Sequence, residues 1–188
     1  DSKVAVISTA SNTVTTSIAT PGLNPSPLAL SPDGAQLYFA SSTNGRVYSI
    51  ATGTNTLSAT SYFVGNNIYD IDVSLDNGSI YASADGDDKF GMVNLTTGVV
   101  TLFDTGDQPY GIVESLNGKT VYVGNVGSKN LSVFTAATLT FTTNSSVPQG
   151  SATSPVDVTL TDGISPPTGL FTGGDVLVEF LDPSSVVI

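Results

Sequence analysis

Short apolar runs alternate with turn residues along the whole chain, and within the runs the pattern is that of strands rather than helices. Glycine, proline or asparagine interrupts nearly every window long enough for an amphipathic helix. Three stretches carry one pattern: PLALSPDGAQLYFASS at 27–42, DIDVSLDNGSIYASAD at 70–85 and GIVESLNGKTVYVGNV at 111–126. Each is an apolar strand, a turn opened by serine and closed by glycine, and a second apolar strand. A shortened copy, PVDVTLTDG, stands at 155–163. The anchors Ser31, Ser74, Ser115 and Thr159 are 43, 41 and 44 residues apart.

A period in the low forties built only from strands is that of β-propeller blades, each a small antiparallel sheet. Named from the axis outward, strands a to d of the first blade are predicted at 28–31, 37–41, 46–50 and 56–60. The second blade takes 71–74, 79–83, 90–94 and 99–103; the third takes 111–115, 120–124, 131–135 and 139–143. Consecutive apolar residues in strands b, such as Val121-Tyr122-Val123, fit strands covered on both faces. Leu37, Phe39, Val47, Ile80, Val93, Val121, Val123 and Val133 are therefore expected to be buried. The ends read as half blades: a hairpin over 3–20, then strands a and b at 155–160 and 175–181. The fold class expected is all-β, a propeller-like array of about four four-stranded antiparallel blades with terminal half blades. The division expected is a repeat domain over 1–162, followed over 163–188 by an irregular insertion and a C-terminal strand or tail that closes the ring or pairs between subunits.

Charge narrows the range of partners. The net charge is −11, from 16 acids against five bases. Such a balance lacks the basic stripe that nucleic acid needs, and it disfavours docking on anionic lipid. Cysteine and histidine are absent, which removes disulfides, Cys/His metal sites and any histidine general base. No segment approaches the roughly 20 apolar residues of a membrane-spanning helix. Serine (24) and threonine (25) make up about a quarter of the chain, a composition common in extracellular fibres and surface layers. The expected location is extracellular or at the cell surface.

At this point the residues resemble a known family. The stretch ALSPDGAQLYFASSTNGRVYSIATGT at 29–54 is similar to the YVTN-type β-propeller repeat, and VYVGN at 121–125 matches its strand b motif most closely. The resemblance covers roughly residues 3–160. It implies a repeat found in surface-layer and other secreted microbial proteins, on a fold that also carries lactonase-like enzymes. Propellers of that family usually have more blades than this chain can supply.

Candidate chemistry is sparse. Asp85, Asp87 and Asp88 form the densest acidic cluster, and alternating carboxylates can hold calcium. An EF-hand loop opening at Asp85 would need a glutamate where Thr96 stands, so an exposed turn is the competing reading. Calcium is the one metal the composition admits; no other cofactor is expected. Asp70 and Asp72 flank Ile71 and so share a strand face, with Glu114 and Asp157 near the same repeat register. Such acids could ring the channel and bind a cation or sugar, or simply line it. Asp33, Asp76, Asn117 and Asp162 are read as turn residues bonding nearby backbone N–H groups, with the 76–78 turn slightly longer than the others. Asn77, Asn94, Asn130 and Asn144 sit in glycosylation sequons. No nucleophile elbow surrounds Ser31 or Ser115.

The function expected from these features is a non-enzymatic extracellular structural protein. It would self-assemble through β-strand contacts into a homo-oligomer, filament or surface layer, with strands near 4–8 and 176–181 as open edges. The alternative is a propeller module binding glycan or protein. A lactonase or sugar hydrolase working through carboxylates ranks third, because histidine is missing.

Overall fold

The structure, a computed structural model, describes residues 2–135 and the backbone of two further strands at 138–141 and 158–161. The chain divides into two units, Asp1–Phe134 and Thr135–Ile188. Among the described residues there are only strands, short turns and one 3-10 turn, Asp85–Asp87.

The first unit opens with an antiparallel hairpin of β1 (Lys3–Ser8) and β2 (Thr13–Ala19). Blade 1 is a four-stranded antiparallel meander of β3 (Pro25–Leu30), β4 (Gln36–Ser41), β5 (Arg46–Ala51) and β6 (Thr56–Phe63). Blade 2 repeats it with β7 (Ile68–Val73), β8 (Ser79–Ala84), β9 (Lys89–Asn94) and β10 (Val100–Asp104). Blade 3 contributes β11 (Pro109–Glu114), β12 (Thr120–Asn125) and β13 (Asn130–Thr135). Strand β7 contacts both β3 and β11, so the first strands of the three sheets lie side by side on the inner edge. This is a propeller-like array, and the strands fall within a few residues of their predicted places.

Three apolar layers hold the sheets together, and strand alternation sorts residues between them. Val4 and Ile18 of the hairpin pack with Phe39 and Ile50 of blade 1. Tyr38, Ala40 and Val47 of blade 1 pack with Ile71, Val73, Ile80 and Val93 of blade 2. Tyr81 and Phe90 of blade 2 pack with Val121 and Val123 of blade 3. Phe90 is fully buried, its ring 4.6 Å from that of Phe134 and 5.7 Å from those of Tyr81 and Phe103. Of the positions expected in the core, Phe39, Val47, Ile80, Val93, Val121 and Val123 are buried. Leu37 is half-buried at the edge of its layer. Val133 is not buried: it is 49% exposed. It shares that state with Val113, Tyr122 and Leu131 on the side of blade 3 away from blade 2.

The a–b turns are built alike. The Ser31 hydroxyl donates to Asp33 Oδ1 at 2.6 Å, that oxygen also accepts from the Ala35 N–H, and Ser31 Oγ accepts from the Gln36 N–H. Ser74 with Asp76, and Ser115 with Asn117, repeat all three bonds. Each chain reversal needs one left-handed residue: Gly34 (φ 72°), Asn77 (φ 58°) and Gly118 (φ 67°). The blade 2 turn is thus the same length as the others, not longer, with asparagine taking the glycine position.

In the second unit, β14 (Thr138–Phe141) pairs antiparallel with β15 (Val158–Thr161). Residues 139–143 were expected as the outer strand of blade 3. The register observed sets Thr138, Leu139, Thr140 and Phe141 opposite Thr161, Leu160, Thr159 and Val158, so two identical alternations run in step. The insertion at 163–174, the strand expected at 175–181, Asp157, Asp162 and Asn144 lie outside the described residues.

Candidate functional site

Hydrogen bonds define two ends of the blades. At one end the b–c and d–a loops meet: Asp85 N–H donates to the Asn67 carbonyl, and Gly86 N–H to that of Asn66. At the other end the a–b and c–d turns meet, with Thr52 N–H donating to the Ala35 carbonyl.

The first end carries an aromatic pair. Tyr69 and Tyr110 stand near the starts of β7 and β11, 41 residues apart in sequence and therefore at one repeat position. Their rings stack with centroids 4.4 Å apart and an interplanar angle of 30°. Both stay open to solvent, at 43% and 50% exposure. Tyr110 also borders a shallow depression of about 560 Å³ on blade 3, walled by Gly111, Val126, Lys129 and Leu131. Large aromatic faces left exposed beside polar loops are where apolar ring faces of ligands bind.

Besides Asp104, which pairs with Lys89, four aspartates surround this end, and three of the four are committed to the loops. Asp85 Oδ2 accepts from the Asn67 amide at 2.8 Å. Asp87 accepts from the Asn66 backbone at 2.7 Å and from its amide at 3.1 Å. Asp88 Oδ1 accepts from the Gln108 N–H at 2.9 Å. The acids predicted as a calcium cluster thus diverge to separate donors, and no group of three or more acidic side chains suited to a metal occurs among the described residues. The fourth, Asp107, is exposed, and its carboxylate has no partner among the described residues. Sequence reasoning passed over Asp107 and both tyrosines. The signal available was the recurrence of tyrosine at the same position in two repeats.

Asp70 and Asp72 are half-buried and reach across to the next blade. Asp70 Oδ2 accepts from the Ile112 N–H at 2.9 Å, and Asp72 Oδ2 from the Glu114 N–H at 3.3 Å. They join the inner strand of blade 2 to that of blade 3. Glu114 reciprocates: its Oε1 accepts from the Tyr81 hydroxyl at 3.0 Å and its Oε2 from the Leu75 N–H at 2.8 Å. Burial, followed by this carboxylate, raises the ionisation of the Tyr81 phenol well above its ordinary range.

The sequon asparagines differ in setting. Asn94 is exposed, and its side-chain carbonyl caps the turn by accepting from Thr96 and Thr97 N–H groups. Asn130 is exposed, with its amide 2.8 Å from that of Asn125. Asn77 is half-buried, and its Oδ1 is buried without a partner. Among the described residues, no helix is long and apolar enough to cross a membrane.

No protein-family model and no curated protein matches the chain. Solved structures do. A catalytically inactive, histidine-to-alanine form of virginiamycin B lyase from Staphylococcus aureus, with quinupristin, has a TM-score of 0.58 at 16% identity, over 71% of this chain and 45% of that one. A candidate 6-phosphogluconolactonase from Bacteroides uniformis gives 0.54 at 21% identity, over 62% and 37%. Kuenenia stuttgartiensis hydrazine synthase gives 0.57 at 23% identity, over 63% and 34%. The chain spans less than half the length of each.

This comparison overturns the self-assembling structural role expected from the sequence. The propellers that share the fold are described as a lyase, a candidate lactonase and a synthase, and nothing among the described residues supports a filament. Strand β1 pairs with β2 on one side, in a two-stranded sheet, and buries Val4 against blade 1. The expectation of no enzymatic role meets the same neighbours, several of them enzymes by description. At these identities the likeness establishes the architecture: the chain has a β-propeller-like fold.

Proposed function

We propose that this chain is a YVTN-type repeat segment of a small-molecule propeller, taking a neutral sugar-derived ring at its loop-bearing end. The observation that carries the reading is the exposed Tyr69–Tyr110 stack on neighbouring inner strands. A pyranose or lactone ring has an apolar face for such a platform and oxygens for the surrounding amides and carboxylates. Charge selects among such ligands. The loops at this end are rich in aspartate, and Lys89 is already paired with Asp104. A phosphorylated lactone, as the name of the Bacteroides protein implies for that protein, is therefore a poor fit here. A secreted or surface setting belongs to this reading, supported by the Ser/Thr-rich composition.

Lactone opening is the second reading, favoured by the lactonase-described neighbours. The lyase was inactivated by replacing a histidine, and these 188 residues contain none, so this reading takes a carboxylate as its general base. Among the described residues, Asp107 is the one at this end left free to serve. Calorimetric titration of the 188-residue chain with neutral sugars and lactones tests binding, and a pH-stat follows ring opening. Tyr110→Ala should weaken binding about tenfold or more, on the scale of a lost aromatic contact. Asp107→Asn should stop turnover while binding persists. Absence of saturable binding to any neutral ring, or preference for the phosphorylated lactone, would defeat the reading.

A further inference from the structure

The junction between blades 1 and 2 differs from that between blades 2 and 3 at one repeat position, and the difference opens a cleft. Tyr38 and Tyr81 are repeat equivalents, 43 residues apart, and each faces the next blade. Glu114 bridges the Tyr81 hydroxyl to the Leu75 N–H. One repeat earlier, Val73 occupies the Glu114 position and Pro32, which has no N–H, the Leu75 position. The Tyr38 hydroxyl accordingly has no partner among the described residues, and neither does that of Tyr62. A cleft of about 700 Å³ lies there, at the turn-bearing end, with Gln36, Tyr38, Ser49, Tyr62, Asn77 and Leu95 among its walls. Its volume falls within the range of small-molecule sites. Asn77 Oδ1, in the same wall, is a buried acceptor with no donor. A buried polar atom left unpaired is costly, so a ligand donor that reaches it through a small shift of the Asn77 side chain is rewarded.

We propose that this cleft is a second binding site, specific for a neutral polyol of monosaccharide size. A hydroxyl group is the chemistry that fits both orphans, since it can accept from Tyr38 and donate to Asn77 Oδ1. A carboxylate ligand could replace the missing Glu114 contact but could not donate to Asn77, and it would face Asp33 in the wall. A cation would leave the tyrosine hydroxyl without an acceptor. Leu57, Leu95 and the rings of Tyr38 and Tyr62 supply apolar surface for the C–H face of such a ligand. The site is at the opposite end of the blades from the Tyr69–Tyr110 stack and stands independently of it.

The test is titration of the full 188-residue chain with glycerol and a panel of neutral hexoses and pentoses, followed by NMR and calorimetry. Tyr38→Phe keeps the buried ring and removes only the hydroxyl. Asn77→Gly keeps the left-handed backbone and removes the amide. Each should weaken binding about tenfold, the scale of one hydrogen bond to a buried group. Shifts in the bound form should map to Tyr38, Tyr62 and Leu95, and those shifts should persist in Tyr69→Ala. Failure of every polyol to bind saturably would overturn the proposal. So would binding that survives Tyr38→Phe and Asn77→Gly, or binding lost only in Tyr69→Ala, which would assign it to the loop-bearing end.

Discussion

Blade 2 and blade 3 are built from the same repeat, yet among the described residues one is an interior sheet and the other is covered on one face. Blade 2 has neighbours on both sides: Ile80 and Val93 are fully buried toward blade 1, and Phe90 toward blade 3. In blade 3 the residues facing blade 2, Val121 and Val123, are just as buried. Those on its other face are not. The repeated tyrosine shows this directly: Tyr38 is 8% exposed, Tyr81 7% and Tyr122 39%. A repeat therefore fixes which way a side chain points, whereas burial depends on what lies next to the sheet.

The largest effect that would sharpen this contrast is a truncation on each face. Phe90→Ala removes a ring packed among Tyr81, Phe103 and Phe134 and should cost about 3–5 kcal/mol in chemical denaturation. Val133→Ala, on the uncovered face, should stay within about 0.5 kcal/mol of the parent. Comparable losses for both would mean that the face of blade 3 is covered after all.

A middle-sized effect comes from the polar seam between the two blades. Asp70→Ala leaves the Ile112 N–H without its acceptor and should cost about 1–3 kcal/mol. The loss should be local, with faster hydrogen exchange at Ile112 and little change in blade 1. If exchange at Ile112 is unaltered, the carboxylate does not hold the blades together.

That seam also shows where sequence reading stopped. The three repeats, the serine–Asx turns and most core positions are legible because they depend on local pattern: period, turn residues and alternation. Asp70 and Asp72 were placed on a shared face, yet their partners are backbone groups of the next blade, which no motif encodes. Val133 looked like core because its strand reads like the strands before it; its exposure is a fact about the neighbour. Asp107 and Tyr69 gave no motif at all, and they gain meaning only when the loops and inner strands are brought together. The Glu114-to-Val73 exchange that opens the cleft is visible in an internal alignment of the repeats, once the Tyr81 contact shows what that position does.

The smallest effect concerns the turns, where blades 1 and 2 differ from blade 3 by one atom type. Asp33 and Asp76 have their ionisation held below the ordinary carboxylate value, first by the Ser31 and Ser74 hydroxyls and then by backbone N–H groups. A carboxyl whose folded value is depressed adds stability above its unfolded value, and that contribution fades as pH falls through the folded one. Both groups are solvent-exposed, so the contribution of each is small. The loss should set in as the solution is taken below about pH 4, near the ordinary aspartate value. Blade 3 makes the same bonds with Asn117, which does not titrate in this range. The double variant Asp33→Asn, Asp76→Asn should then lose less stability than the parent between pH 7 and pH 3, as read from urea midpoints. Hydrogen exchange at Gln36 and Ser79 should show the acid sensitivity in the parent, and exchange at Thr120 should not. An equal acid loss in parent and double variant would mean that other carboxylates, such as those joining blades 2 and 3, carry the whole pH dependence.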